Sequence, residues 1–276
     1  LADLQRATAV CKEFRDVVHS AGRLFVALYA RTWRTGLATP TPRMPRAYAQ
    51  LGFSPALQMV QQRRADFDYP LTTRSHVTKR ADATYEILNN SLLRVLTRGA
   101  VDSARGVKAL PVQPCAQALG VDVRYFEVAM SGCGSVGVVS LSDVKTRLSY
   151  GYGSDEHVGW KGVSCGYHGN DGDFVYNNGA APYGGEWTPY GPSWGVRTVD
   201  GDESVAATST VGCGLDMATR RVFFTLNGTF LGFCKFTVPD GEYAAAVSLH
   251  EFNDRAVMNA GSAPFSFDLE GFCASL

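Results

Sequence analysis

No run of eighteen apolar residues occurs in the 276-residue chain, so no membrane-spanning helix is expected. No C-x-x-C pair occurs either, which removes the commonest zinc and thioredoxin-like redox spacings. The seven cysteines, Cys11, Cys115, Cys133, Cys165, Cys213, Cys234 and Cys273, are odd in number and far apart, and so read as reduced thiols of an intracellular protein of cytoplasm or nucleus. Net charge is absent too, with 26 Lys and Arg against 26 Asp and Glu. The balance is uneven along the chain: residues 1–120 hold 17 basic side chains against 8 acidic, and residues 121–276 hold 9 against 18. Such asymmetry suggests two modules with different partners. The basic residues are scattered and lack interleaved aromatics, so nucleic acid is not expected as a partner. Because the chain begins at Leu1, the lack of a leader segment excludes nothing.

At 45% hydrophobic residues the chain can bury a core, and its period changes along its length. Leu1, Leu4, Cys11, Phe14 and Val18 recur at helical spacing, and a second short amphipathic piece carries Leu24, Phe25, Leu28 and Trp33. Gly36 and three prolines, Pro40, Pro42 and Pro45, close this first module near residue 37. Residues 38–84 read as a connector, with one helix expected around 55–65. From Leu92 the pattern is short alternating runs rich in Val, Phe and Tyr and punctuated by glycine, which predicts an antiparallel β-sandwich. Strands are expected at 91–95, 106–110, 125–130, 136–141, 221–226, 230–236, 243–249 and 256–259, with no helix of useful length among them. Asn227-Gly228 between two of these runs predicts a type I′ hairpin turn.

Catalytic motifs fail on context. Residues 132–137 match G-x-G-x-x-G, but Val138-Val139-Ser140-Leu141 continues as strand where a dinucleotide loop must open a helix, so the glycines read as a hairpin loop between two strands. Ser164 and Ser193 each sit in G-x-S-x-G, yet neither precedes a helical segment as a nucleophile elbow requires. His168 lies in a turn-rich stretch, and Asp171 and Asp173 lack the further carboxylates of a calcium loop. Neither enzyme activity, nor a cofactor, nor a metal is expected.

Residues 125–128, Gly159-Trp160, Tyr167 to Gly172, Tyr190-Gly191-Pro192, Val211 to Asp216, Phe223 to Gly228, Leu231-Gly232 and Asn259-Ala260-Gly261, then Pro264 to Asp268, appear in order. Over about 85–272 this resembles a SPRY domain, nearest the Ran-binding-protein type. The start, Leu1-x-x-Leu4, Ala9-Val10-Cys11-Lys12-x-Phe14-Arg15 and Leu24-Phe25-x-x-Leu28-Tyr29-x-x-x-Trp33, resembles the second half of an F-box. The expected fold is therefore mainly β, a SPRY antiparallel sandwich (85–272) preceded by a small helical F-box-like segment (1–37) and a connector (38–84).

The resemblances imply a non-catalytic substrate receptor of an SCF-type cullin ubiquitin ligase, with a Skp-type adaptor held by Leu1, Leu4, Val10, Cys11, Phe14 and Trp33. The runner-up is a SPRY scaffold with no ligase role. Target peptides would meet loops at one end of the sandwich, 98–105, 131–135, 148–152 and 250–253. The candidate contacts are Arg98, Asp102, Arg105, Leu148, Tyr150, Tyr152, His250, Glu251 and Phe252, with Tyr150 and Tyr152 as aromatic anchors. SPRY proteins that bind Asn-rich peptides use a Tyr and a Trp-Gly pair, and the matching places here are Leu148 and Glu251-Phe252. Glu251, with Asp102 and the acidic balance of this half, points to a basic or amide-rich target. Trp160, Trp194 and Phe224 are assigned to the core or its rim.

Overall fold

The computed structural model describes residues 63–89, 101–151, 156–195, 197–200, 203–206 and 208–276. The F-box-like segment, most of the expected 55–65 helix and the expected 91–95 strand lie outside them. Four short strands come first: β1 (Leu71–Thr73), β2 (His76–Lys79), β3 (Tyr85–Leu88) and β4 (Asp102–Gly106). Next come α1 (Pro114–Ala118), β5 (Val123–Ser131), β6 (Gly134–Ser140) and α2 (Val144–Ser149). The middle holds β7 (Val163–His168), β8 (Asp173–Asn178), β9 (Glu186–Pro189), β10 (Arg197–Asp200) and β11 (Glu203–Ala206). Last are β12 (Thr208–Asp216), β13 (Arg221–Leu226), β14 (Thr229–Thr237), β15 (Tyr243–Leu249), β16 (Arg255–Asn259) and α3 (Leu269–Ser275).

Two seven-stranded antiparallel sheets form a sandwich. The first has the order β1-β4-β15-β6-β7-β8-β9 and the second β14-β13-β12-β5-β16-β3-β2, while β10 and β11 pair as a separate ribbon. The strands at 221–226 and 243–249 fall where the alternation places them. Asn227 and Gly228 both take positive φ, 50° and 79°, and join Leu226 to its partner Thr229 as a two-residue turn. Two expectations are corrected. Residues 132–133 do not close a hairpin: β5 lies in the second sheet and β6 in the first, so they arch across one end of the sandwich. The stretch read as connector includes β1 and β2, which pair into the two sheets at Leu71–Thr73 and His76–Lys79.

Alternation puts Phe126, Val128, Met130, Val136, Val138, Tyr167, Phe174, Phe224 and Val247 between the sheets. The opposite face of the second sheet also carries apolar residues. Tyr125 and Phe223 point away from the core and pack with Phe267, Leu269 and Cys273 of the C-terminal segment. Gly212 and Gly214 of β12 make room for them, since a Cβ at Gly214 would stand 2.0 Å from the Phe223 ring.

Glu127, buried beside Tyr125, fastens that C-terminal segment. Its carboxylate accepts from Ser266 N (2.9 Å), Ser266 Oγ (2.8 Å), Phe267 N (2.9 Å) and the Tyr125 hydroxyl (3.0 Å). A buried carboxylate is tolerable only when its lone pairs are used in this way. Asp268 then caps α3 by accepting from Gly271 N at 3.0 Å. Glu127→Ala leaves these donors without an acceptor and is expected to cost about 3 kcal/mol in urea unfolding. It should also expose residues 264–276 to protease under native conditions. An unchanged cleavage pattern would show that the clamp holds nothing.

Candidate binding surface

The outer face of the first sheet is built in rows. One register row reads Ser103, Ser248, Ser135, His168 across β4, β15, β6 and β7. The next reads Arg105, Ala246, Gly137, Gly166, Val175, Trp187 and extends to β9. A sheet face with this many polar groups would normally meet water, yet most of these residues are buried. They are covered by residues 150–151 and 156–162, a cap that includes Tyr150, His157, Val158 and Trp160.

The cap lacks regular structure, so its buried backbone groups need side-chain partners. Ser135 Oγ accepts from Val158 N at 2.8 Å, and Ser103 Oγ accepts from Gly151 N at 3.1 Å. Arg105 donates through Nε to Tyr150 O (3.1 Å) and through Nη2 to Arg147 O (3.3 Å). Asn177 donates to Trp160 O at 2.9 Å. Tyr150 accepts from Lys161 N at 2.9 Å and stands 3.1 Å from Ser164 Oγ. Beneath, Val158 and Tyr150 pack on Val139, Ala244 and Ala246. Gly166 leaves the space Val158 needs, because a Cβ there would lie 2.4 Å from the Val158 carbonyl oxygen.

At one end of this cap three imidazoles meet. His157 Nδ1 is 3.0 Å from Ser248 Oγ, and His157 Nε2 is 3.0 Å from His250 Nδ1. His168 Nε2 donates to Val158 O at 2.9 Å. Burial, reinforced by the neighbouring His168 and His250, pushes His157 down to about 2. Burial also pushes His168 down to about 4, against the opposing pull of its bond to Val158. Both rings are therefore neutral at pH 7, and His157 donates through one nitrogen and accepts through the other. Aromatic contacts continue outward, with Trp160 4.8 Å from His157 and Trp187 5.0 Å from His168. Among the described residues no group of three or more His, Cys, Asp or Glu is arranged to hold a metal ion.

The loop after β15 closes this end. Wholly buried Asp254 accepts from Glu251 N (2.8 Å) and Cys133 N (3.4 Å), while His250 N donates to Cys133 O (2.9 Å). Gly132, at φ 115°, passes so close that a Cβ would meet the Asp254 carboxylate at 1.9 Å. Two of the expected loops, 131–135 and 250–253, are thus locked together, and they present His250, Glu251 and half-exposed Phe252.

The remaining expected contacts divide. Leu148 is 72% exposed on α2. Tyr150 is corrected: it is fully buried with its hydroxyl consumed by the cap, so it cannot anchor a partner. Asp102 and Arg105 are likewise buried, Asp102 accepting from Ser75 Oγ at 2.7 Å, and both serve the scaffold. Arg98, Tyr152 and the six F-box-like positions lie outside the described residues. Phe224 and Trp194 sit in the core and Trp160 at its rim, as expected. Ser164 lies within β7, its hydroxyl donating to Lys161 O at 2.8 Å, while Ser193 lies on an exposed loop. Sequence reasoning missed His157, Tyr183 and Trp187. A four-residue strand such as β9 carries too little alternation to reveal its faces, and only the pairing of Trp187 with Val175 sets them.

In the unfolded chain both histidines titrate near 6.5. Below that pH the unfolded state takes up protons that the folded state refuses, so stability falls as pH drops from about 6.5 toward 4. The slope should approach about 1.4 kcal/mol per pH unit for each ring. In urea unfolding at pH 6.5 and 5.0, His168→Asn should lose about one ring's share of that slope. Equal slopes in both proteins would overturn the neutral assignment.

The SPRY domain family matches residues 123–263. The Ran-binding protein M homolog of Arabidopsis thaliana is 30% identical over 151 residues, covering 55% of this chain and 28% of that protein. Ran-binding protein 9 of Xenopus laevis is 27% identical over 194 residues, covering 70% of this chain and 31% of that protein. The chain thus spans under a third of the length of these relatives. A crystal structure of a human SPRY domain aligns with a TM-score of 0.43 at 19% identity, over 69% of this chain and 97% of that one. With more than half of its residues inside the matched segment, this chain belongs to the SPRY domain family.

Proposed function

We propose that this chain is a protein-recognition module that grips a segment of another protein with the loop end of its first sheet. The observation that carries the reading is the Asp254 lock. It holds two loops rigid while leaving His250, Glu251 and Phe252 turned to solvent, and a preorganised surface binds at lower entropic cost than a mobile one. Glu251 favours a basic or amide-rich segment.

Within that reading, the chain is the substrate receptor of a cullin ubiquitin ligase. The support is the F-box-like spacing of Leu1, Leu4, Val10, Cys11, Phe14 and Trp33 ahead of the recognition domain, as a receptor needs one surface for a Skp-type adaptor and another for its target. The reduced state of all six cysteines among the described residues suits an intracellular setting, and no described helix is long and apolar enough to cross a membrane. A scaffold without a ligase role is the second reading. It is favoured by the similarity to Ran-binding proteins.

Two measurements test these readings. Peptides selected by display against the folded chain should lose about tenfold or more in affinity on Phe252→Ala and on Glu251→Lys, with circular dichroism unchanged. Tighter binding by Glu251→Lys would overturn the basic-target reading. In calorimetry on the chain with its native upstream residues, a Skp-type adaptor should bind at micromolar strength and fail to bind Leu4→Asp. No heat at tens of micromolar would remove the ligase role and leave the scaffold.

A further inference from the structure

Two thiols far apart in sequence meet where α3 packs on α1. Cys115 on α1 and Cys273 on α3 belong to one apolar cluster with Ala116, Phe267 and Leu269, and their side chains hydrogen-bond to each other. Cys273 is buried, whereas Cys115 is only half-buried, so a small solute reaches the pair from the Cys115 side.

The other described cysteines stand differently. Cys165, Cys213 and Cys234 lie in the core between the sheets, where burial pushes the Cys165 thiol up to about 12. Cys133 is buried in the arch between β5 and β6, and burial pushes it up to about 11. Protonated and closed to solvent, these four are unreactive. Cys115 moves the other way. Its hydrogen bond with Cys273, helped by a backbone bond at Ala116 and the charge of Arg63, holds it below the ordinary thiol value against the effect of burial. The same bond, together with burial, pushes Cys273 up. The pair thus joins an accessible sulfur with thiolate character to a protonated neighbour in contact with it, which is the arrangement of an attacking and a resolving cysteine.

We propose that Cys115 and Cys273 form a reversible disulfide that fastens α3 to the sandwich, with hydrogen peroxide as the oxidant. The Cys115 sulfur attacks one peroxide oxygen and the O–O bond breaks. The departing hydroxide takes up the proton that Cys115 released and leaves as water, and Cys115 becomes a sulfenic acid. The Cys273 sulfur then attacks the Cys115 sulfur, the S–O bond breaks, and the hydroxide leaves with the Cys273 proton as a second water. The two thiols lose two electrons in all, and one peroxide is reduced to two waters. The new bond ties down the helix whose Phe272 packs 4.6 Å from Phe223 and 5.2 Å from Phe230. The C-terminal segment, clamped by Glu127 at residues 266 and 267, gains a covalent tie at its far end. A crosslink between residues so distant in sequence strongly restricts the opened state. Disulfides of intracellular proteins are typically transient and redox-sensing, so the bond would appear under oxidative load and be reversed by cellular reductants.

The test treats the folded chain with hydrogen peroxide, blocks remaining thiols with iodoacetamide and digests with trypsin without reductant. Mass spectrometry should show peptides 109–124 and 256–276, each of which holds one cysteine, joined to each other and separated by dithiothreitol. Cys273→Ser should leave Cys115 as a sulfenic acid that dimedone traps, and Cys115→Ser should leave Cys273 an unmodified thiol. In Glu127→Ala, the oxidised chain should be cut within residues 264–276 about tenfold more slowly than the reduced one under native conditions. The proposal is overturned if peptide 109–124 is recovered with its cysteine alkylated or over-oxidised. Joined peptides in equal yield from the chain unfolded in urea, or equal cleavage in both redox states, also overturn it.

Discussion

The structure depends on one constraint: residues 150–151 and 156–162, which form no helix or strand, cover the outer face of a β-sheet, and their buried backbone groups must be satisfied there. Ser103, Ser135, Arg105 and Asn177 supply partners from the sheet, and Tyr150 supplies them from the cap itself. A row of serines on a sheet usually marks a wetted face. Here it marks the seat of a second layer, and Gly166 in the adjacent row keeps the seat low enough for Val158 to pack. Losing any one of these partners leaves a buried donor or acceptor orphaned, which is why the cap behaves as part of the fold and not as a loop.

The second sheet meets the same demand differently. Its outer face is aromatic, with Tyr125 and Phe223 under Phe267 and Leu269, and a single charged group, Glu127, carries the polar load by taking the backbone donors of residues 266 and 267. With both faces covered, the ends and edges of the sandwich are the parts left open. The locked 132–133 and 250–253 loops occupy one end, and Trp160, Tyr183 and Trp187 line the margin where the cap meets edge strand β9. A rigid scaffold presenting variable rims is well suited to recognising proteins.

Much of the fold was legible in the residues, and the losses have physical causes. The hairpin at Asn227-Gly228 was plain because two consecutive residues able to take positive φ between alternating runs admit few other conformations. Strands at 163–168 and 173–178 escaped because glycine, serine and asparagine on one face dilute the alternation, and those same residues are what the cap requires. Tyr150 looked like an exposed anchor in a turn-rich stretch. Its burial follows from the apolar floor of Val139, Ala244 and Ala246, which come from strands a hundred residues apart.

The sequence by itself determined the class: antiparallel β, glycine-punctuated, with the ordered motifs of a SPRY domain and no context for a nucleophile. Those properties are local, set by side-chain alternation, turn chemistry and the failure of glycine motifs to open helices. Tertiary structure alone decided which polar residues face a partner and which hold the molecule together. Asp102, Arg105 and Glu251 are all charged and all near strand ends, yet two are buried and one is exposed. Register places them, and register is set by pairings between distant strands that no local pattern encodes.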